Sequence, residues 1–86
     1  RKFNFMDLID GRGLRAAEAL EEVRDFIDDA IMVGVGTATI LHGKGTGALR
    51  EEIRRYLRSV PEVERAADEH ADRGGAGITV VTLRMD

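Results

Sequence analysis

The stretch TATILHGKGTGALREEIRRYLR, residues 37–58, decides the fold. Its first five residues predict a strand over 37–41, because threonines alternate with apolar residues there. A glycine-rich loop follows, and then a helix is expected over about 47–59 with Thr46 as its N-cap. The apolar stripe of that helix consists of Leu49, Ile53, Leu57 and Val60. A strand that leads through a tight loop into an amphipathic helix indicates a protein in which helices pack on a sheet.

The rest of the chain adds elements of the same two kinds. Strands are expected over 5–10, 37–41, 63–68 and 78–83, and helices over 15–32 and 47–59. The order β-α-β-α-β-β predicts a mixed four-stranded sheet, in which strands separated by helices run parallel and the last two form an antiparallel hairpin. Two helices are too few to cover both faces of four strands. The predicted fold class is therefore an α/β (α+β) two-layer sandwich with one open sheet face.

Length and composition limit the kind of protein this can be. The 86 residues are enough for one domain, 1–86, and the start at Arg1 instead of Met leads us to expect a piece of a longer protein. The chain has no Cys, which excludes disulfides, thiolate metal sites and cysteine nucleophiles and fits a reducing, cytoplasmic location. No apolar run approaches the roughly 20 residues of a membrane span, so no membrane partner is expected.

Charge is distributed unevenly along the chain. The formal net charge is −3, which argues against a general nucleic-acid binder, since such domains are usually basic. Residues 1–30 carry five basic and eight acidic side chains, residues 31–60 five basic and two acidic, and residues 61–86 three basic and six acidic. The middle third is therefore positive, and a local field of that kind attracts anions even in an acidic protein.

The glycine loop is the strongest candidate site. It connects the C-terminal end of a predicted strand to the N-terminus of a helix, where unpaired N–H groups and the helix dipole attract phosphate. The candidate phosphate-binding residues are Gly43, Lys44, Gly45, Thr46 and Gly47. Their spacing does not match a nucleotide-hydrolysing P-loop or a dinucleotide fingerprint. The alternative is that the glycines serve only the turn.

The helix after the loop carries a row of arginines. Arg50, Arg54 and Arg58 are spaced by four, so they lie along one edge of the helix and suit a nucleic-acid backbone. The candidates for phosphate contact are Arg50 and Arg54. The alternative is a solvated face on which Glu51 and Arg55 form an i,i+4 ion pair.

Three polar residues near the ends of predicted parallel strands form the candidate catalytic group. Asp10 and His42 lie at the edge where ligand sites of open α/β sheets form. A carboxylate orients water, an imidazole transfers protons near neutral pH, and Arg12 is placed to offset charge on a phosphoryl oxygen. The alternatives are a turn-capping Asp10 and a His42 that only hydrogen-bonds the strand end. His70 has acidic neighbours but is expected in a solvated loop, so no metal site is predicted.

Together these motifs resemble the Smr (small MutS-related) domain, in the version at the C-terminus of bacterial MutS-II proteins. The matching segments are IDGRG at 9–13, HGKGTGALR at 42–50 and GGAGITV at 74–80. Asp10 and Arg12 match the family's LDLR motif, and His42 begins the match to its HGxG motif. The family usually has an apolar residue where this chain has Gly11, and a glycine there is expected to loosen the strand end.

The resemblance implies a fold similar to the C-terminal domain of translation initiation factor 3 and a nicking endonuclease acting on DNA or RNA. The resemblance implies that Asp10, Arg12 and His42 are the catalytic residues. It implies nucleic acid as the partner, and the ribosome as a possible further partner. The parent would be a dimeric MutS-like ATPase in recombination control or ribosome rescue, so any ATP dependence lies outside this chain. Mg²⁺ or Mn²⁺ is left open for cleavage, although one carboxylate is a poor metal site. The alternative function is a non-catalytic module that positions the ATPase on branched DNA, structured RNA or ribosomes.

Overall fold

The structure is a computed structural model and describes residues 7–84. Its strands are β1 (Leu8–Asp10), β2 (Thr37–Leu41), β3 (Val63–Asp68) and β4 (Ile78–Leu83), and its helices are α1 (Ala16–Val33) and α2 (Ala48–Arg58). The six predicted elements are present in the predicted order, and residues 5 and 6 of the first predicted strand lie outside the described residues. Within residues 7–84, neither helix is long and apolar enough to cross a membrane.

The sheet is mixed, as predicted, with the strand order β1-β2-β4-β3. β1 pairs in parallel with β2, which places Asp10 opposite Leu41. β4 runs antiparallel to both of its neighbours, β2 and β3. The strands β1, β2 and β3 therefore point in one direction, and their C-terminal ends lie at one edge of the sheet.

Both helices pack on the same face of the sheet. The buried core consists of Val23, Phe26, Ile27, Ala30, Ile53 and Leu57 from the helices and Ala38, Ile40, Val81 and Leu83 from the sheet. Because side chains alternate along a strand, the residues between these point to the other face. There Leu8 is 48% exposed, whereas Ile40 on the covered face is fully buried. The predicted two-layer arrangement with one open face is confirmed.

The helix ends follow backbone preferences, with one correction to the prediction. α1 ends at Gly34, whose left-handed backbone lets its N–H donate to the carbonyl of Ala30 at 2.9 Å. The N-cap of α2 is Gly47, with φ 88°, and not Thr46. The loop reaches the helix through a left-handed turn, which glycine adopts at little cost. The Thr46 hydroxyl still accepts a hydrogen bond from the N–H of Ala48 at 3.3 Å.

Truncating a side chain should cost much more on the covered face than on the open one. Ile40→Ala removes a fully buried side chain and should lower the free energy of unfolding by about 2–5 kcal/mol. Leu8→Ala, on the neighbouring strand, is the matched control and should change it by less than about 1 kcal/mol. Urea unfolding followed by circular dichroism measures both. Equal losses would contradict the assignment of the open face.

Candidate nucleic-acid interface

The loop of residues 43–47 joins the end of β2 to the start of α2. Together with residues at the start of both helices it lines an open depression of about 260 Å³. Gly45 and Gly47 have φ of 43° and 88°, a conformation that residues with side chains rarely adopt. The loop therefore needs glycine for its shape, and the shape exposes backbone to a ligand.

Two backbone donors of this loop are free. No hydrogen bond within residues 7–84 uses the N–H groups of Gly45 and Thr46. The N–H groups of the next two residues donate to the Lys44 carbonyl at 3.0 Å and to the Thr46 hydroxyl at 3.3 Å. The Lys44 side chain is exposed and has no ion pair with any described residue. Free N–H groups, a helix N-terminus and a mobile cation together suit a phosphate group.

The turn at Gly77 supports the loop from the neighbouring strand. The Gly77 carbonyl accepts hydrogen bonds from the N–H of His42 at 3.1 Å and from that of Gly43 at 2.9 Å. A Cβ at Gly77 would lie 3.5 Å from the carbonyl carbon of Gly43 and from Cγ of Lys44. The sequence shows this glycine only as part of a turn. Its support of the loop becomes visible once β2 and β4 are paired.

His42 is buried, and both of its ring nitrogens are bound inside the protein. Nδ1 lies 2.8 Å from the carbonyl oxygen of Gly43, and Nε2 lies 2.8 Å from Oγ1 of Thr79. Because a carbonyl only accepts, Nδ1 carries the hydrogen, and in the neutral ring Nε2 accepts from the Thr79 hydroxyl. Oγ1 of Thr79 accepts from Nε of Arg54 at 3.1 Å. The result is a directed chain of hydrogen bonds from α2 through β4 to the glycine loop.

The surroundings of His42 favour the neutral ring. Burial is the main cause of a lowered pKa; the hydrogen bond to Gly43 opposes it, and the charges of Arg54 and Arg50 lower the pKa further. This geometry corresponds to the alternative weighed from the sequence, a histidine that hydrogen-bonds the strand end. The ring is placed to hold the Gly43 carbonyl, and neither nitrogen is free for a ligand.

Asp10 and Arg12 form a closed pair at the end of β1. Oδ1 of Asp10 accepts from the backbone N–H and from Nε of Arg12, both at 3.0 Å, and Oδ2 accepts from Nη2 at 2.9 Å. The side-chain hydrogen bond from Arg12 is the main cause that lowers the pKa of Asp10 to about 2. The carboxylate is therefore ionised at neutral pH, caps the turn and fixes the guanidinium.

The three candidate catalytic residues share one edge of the sheet but not one face. Asp10 pairs with Leu41 on the open face, whereas the ring of His42 lies on the helix-covered face. A Cβ at Gly43 would lie 3.5 Å from Cγ of Arg12, so the arginine stem packs on the loop. The structure brings Asp10, Arg12 and the loop together. It places His42 beneath the loop instead of beside Asp10, because consecutive residues along a strand alternate in direction.

Gly11 does not loosen the end of β1. It is buried, and its N–H donates to the carbonyl of Leu41 at 2.8 Å, which extends the pairing of β1 with β2 by one residue. Its φ is not in the left-handed region. The expectation of a loosened strand end is therefore wrong, because a backbone hydrogen bond holds the glycine in place.

The arginine row on α2 divides into two parts. Nη2 of Arg50 and Nη2 of Arg54 both donate to Oδ1 of Asp68, at 2.8 and 2.7 Å. Hydrogen bonds from these arginines, first from Arg50, lower the pKa of Asp68. Arg58 has no ion pair within residues 7–84. Two of the three arginines are thus already bound to a carboxylate.

The ion pair between Glu51 and Arg55, part of the solvated-face alternative, does not form. Glu51 binds Arg50 at 3.1 Å, and Arg55 binds Glu52 at 3.4 Å, three residues away on the helix. The side chain of Arg50 contacts the carboxylates of both Glu51 and Asp68, so Glu51 already has a partner.

Sequence reasoning missed Asp68 and Thr79. Asp68 ends β3, whose direction matches that of β1 and β2, so the rule that selected Asp10 and His42 also applies to it. Thr79 has no such signal, since it reads as an ordinary strand residue. His70, whose side chain is 82% exposed, lies 3.8 Å from Asp72, and within residues 7–84 no three His, Asp or Glu side chains are close enough to hold a metal.

The motifs and this geometry agree with comparisons to known proteins. The family model of the Smr domain matches residues 9–84. The chain belongs to the Smr domain family. It is 51% identical over 76 residues to Endonuclease MutS2 of Thermus thermophilus and 46% identical over 77 residues to Endonuclease MutS2 of Solidesulfovibrio magneticus. These alignments cover 88% and 90% of this chain but only 10% of each relative, so the chain spans about a tenth of their length.

Solved structures confirm the fold of this Smr domain. It is similar to the Smr domain of Thermus thermophilus MutS2, with a TM-score of 0.87, 49% identity, and coverage of 92% of this chain and 99% of that one. It is also similar to YdaL, a stand-alone small MutS-related protein of Escherichia coli, with a TM-score of 0.85, 25% identity, and coverage of 91% and 64%. The predicted α+β class with a mixed four-stranded sheet and two helices is therefore confirmed.

The buried histidine of this Smr domain should resist protonation. The neutral ring should carry its hydrogen on Nδ1. Below the roughly 6.5 of an ordinary histidine, a smaller fraction of His42 should be protonated than of an exposed histidine, because burial lowers its pKa. The unfolded chain takes up this proton more readily, so the free energy of unfolding should fall as the pH drops below about 6.5. The loss from this group is at most about 1.4 kcal/mol per pH unit.

Nitrogen NMR of the imidazole and urea unfolding between pH 7 and pH 5 measure these two effects. Thr79→Val removes the donor to Nε2 and should destabilise the fold by about 1–3 kcal/mol, since it leaves a buried acceptor unpaired. Thr79→Ser keeps the hydroxyl and is the matched control. An Nε2–H tautomer, or a ring that protonates more readily than an exposed histidine, would contradict the hydrogen-bond chain.

Alanine at two glycine positions near the site should change the free energy of unfolding in opposite directions. At Gly11 a Cβ would meet the Cβ of Ala19 at 3.7 Å and the Leu41 carbonyl at 3.8 Å, so Gly11→Ala should raise the free energy of unfolding by up to about 1 kcal/mol. At Gly13 the φ of 84° is unfavourable for alanine, so Gly13→Ala should lower the free energy of unfolding by about 1 kcal/mol. Thermal unfolding of both variants measures the difference, and destabilisation by Gly11→Ala would refute the packing described here.

Proposed function

We propose that this Smr domain binds the phosphodiester backbone of DNA or RNA and nicks it. The observation that carries the proposal is the contact between the two halves of the site. Arg12, held by Asp10, packs its stem on Gly43, the first residue of a loop with free backbone donors. Similarity to proteins named endonuclease supports the same conclusion.

Phosphate binding is assigned to the loop. The free N–H groups of Gly45 and Thr46 supply directed donors, and the N-terminus of α2 adds a partial positive charge. Lys44 supplies a mobile cation without a competing carboxylate among the described residues. This part of the site reads no base, so it binds any sequence.

Charge stabilisation is assigned to Arg12. In hydrolysis a water oxygen bonds to phosphorus and gives up a proton to solvent, while the bond to the leaving oxygen breaks and that oxygen takes up a proton from solvent. The phosphoryl oxygens carry negative charge during this step. A guanidinium fixed by two hydrogen bonds to Asp10 offsets that charge without reorganising. Asp10, with a pKa of about 2, is a weak base, so its role is to orient Arg12 and water. His42 acts as a positioning residue that holds the carbonyl of Gly43.

The donor set offers little to a resident Mg²⁺ or Mn²⁺ ion. Both carboxylate oxygens of Asp10 accept hydrogen bonds from Arg12, and no metal-holding cluster exists within residues 7–84. No step is therefore assigned to a divalent ion. The resemblance alone supports three further parts of this proposal: a dependence on ATP, a dimeric parent protein and a ribosomal partner.

A second candidate function is a module that binds nucleic acid without cutting it. The observation that favours it is the shortage of proton acceptors at the site. Both nitrogens of His42 are bound internally, and Asp10 is a weak base with both oxygens engaged. In this case the domain positions a larger protein on branched DNA, structured RNA or ribosomes.

Nicking of supercoiled plasmid and cleavage of structured RNA, each measured beside binding, separate the two functions. Arg12→Lys keeps the charge but loses the planar fork, so cleavage should fall roughly 100-fold while affinity holds. Lys44→Ala should weaken binding to every sequence and make the salt dependence shallower by about one unit of slope. Wild-type protein that binds but never cleaves, with or without Mg²⁺ and Mn²⁺, would support the binding module.

A further inference from the structure

We propose that Leu14 is a specificity-determining residue of the candidate interface: its side chain packs on the face of an unstacked nucleobase while the glycine loop holds the neighbouring phosphate. The inference rests on the proposed binding of nucleic acid, and it names the form of nucleic acid that the site prefers. That form is a single strand or an unpaired nucleotide, and not a closed duplex.

The depression beside the glycine loop has two chemically different parts. The loop contributes free N–H groups and the cation of Lys44, whereas Leu14 and Ala16, at the start of α1, contribute an apolar wall. Among the described residues that line the depression, none carries a carboxylate. Its volume of about 260 Å³ exceeds what one phosphate group occupies. A nucleotide has the same two parts, a charged phosphate and a flat base with apolar faces.

The side chain of Leu14 is available to a ligand. It is 40% exposed and is one of four large apolar side chains that are exposed within residues 7–84. Among these four it alone lines the depression. Leu49 lines the depression too, but it is half-buried and packs against the core. Covering exposed apolar surface is favourable, and the face of a base beside the bound phosphate supplies a cover.

The start of α1 offers a structural alternative for this leucine. Leu14 precedes Arg15, the N-cap of α1, and an apolar residue at that position often packs against the fourth residue of the helix. The fourth residue is Ala19, which is fully buried and lies at the end of β1, 3.7 Å from where a Cβ of Gly11 would be. A single methyl group offers little surface, so helix capping does not account for an exposed leucine here.

An apolar contact of this kind selects the structure of a strand and not its sequence. In a duplex both faces of a base are covered by the neighbouring bases, whereas an unpaired base is easily unstacked and exposes a face. Leucine has no hydrogen-bond donor or acceptor in its side chain, so it does not distinguish one base from another. The glycine loop likewise contacts only the backbone. The two parts together therefore favour unpaired nucleic acid of any sequence.

Probes with and without bases provide the test. Fluorescence anisotropy measures binding of a twelve-nucleotide thymidine strand, of a strand with the same phosphates but abasic sugars, and of a duplex of that length. Leu14→Ala should weaken binding of the thymidine strand about three- to eightfold, since roughly the exposed 40% of a leucine side chain is covered. Binding of the abasic strand and of the duplex should not change. Leu14→Met keeps an apolar side chain and should bind the thymidine strand as wild type does.

The matched control is Met32→Ala, an 83% exposed apolar residue on the same helix. It lies 16 residues beyond Ala16, roughly 24 Å from the depression, and its truncation should leave binding of every probe unchanged.

Three results would overturn the inference. Equal losses on the thymidine and abasic strands would show that Leu14 shapes the loop and contacts no base. An equal loss on the duplex would refute the preference for unpaired nucleotides. If Leu14→Ala binds the thymidine strand as wild type does while Lys44→Ala binds it more weakly, the role of Leu14 is wrong and the proposed function stands. Wild-type protein that binds no probe would overturn both proposals.

Discussion

The imidazole of His42 connects the elements on which the candidate site depends. It donates from Nδ1 to the carbonyl of Gly43 and accepts at Nε2 from Thr79, both at 2.8 Å, in a buried position. A buried ring of this kind is stable only while both nitrogens are satisfied, because an unpaired polar atom away from water is costly. The loop and β4 are therefore held in one relative position.

The second organising feature is the carboxylate of Asp68. It receives both Arg50 and Arg54, and Arg54 also donates to Thr79, so the ion pairs and the His42 chain form one network. Within this network two cations stabilise the protein instead of a ligand. At the glycine loop, Lys44 has no carboxylate partner among the described residues, so its charge is available to an anion there. An acidic protein can in this way present a local basic surface.

The fold followed from the sequence to within a residue at most element ends, because helix and strand periodicity is a local property of the chain. The glycine loop and a turn-capping Asp10, one of the two interpretations of that residue, were also visible, since both use residues close in sequence. The ion pair of Asp10 with Arg12 was not predicted. The N-cap of α2 was misassigned to Thr46 because the choice depended on the left-handed backbone at Gly47. The Glu51–Arg55 pair of the solvated-face alternative does not form, because Arg50 binds Glu51 as well as Asp68 on another element.

The sequence by itself determined the elements, their order, the positive middle third and the loop that ends β2. Only the tertiary structure decided that His42 supports the loop with both ring nitrogens bound and that Asp68 binds two arginines. The physical reason is the position of β4 between β2 and β3. It brings Thr79 to His42 across 37 residues of sequence, and the neighbouring β3 brings Asp68 to Arg54 across 14. Hydrogen bonds over such separations form only when the sheet is assembled, and no local pattern of residues records them.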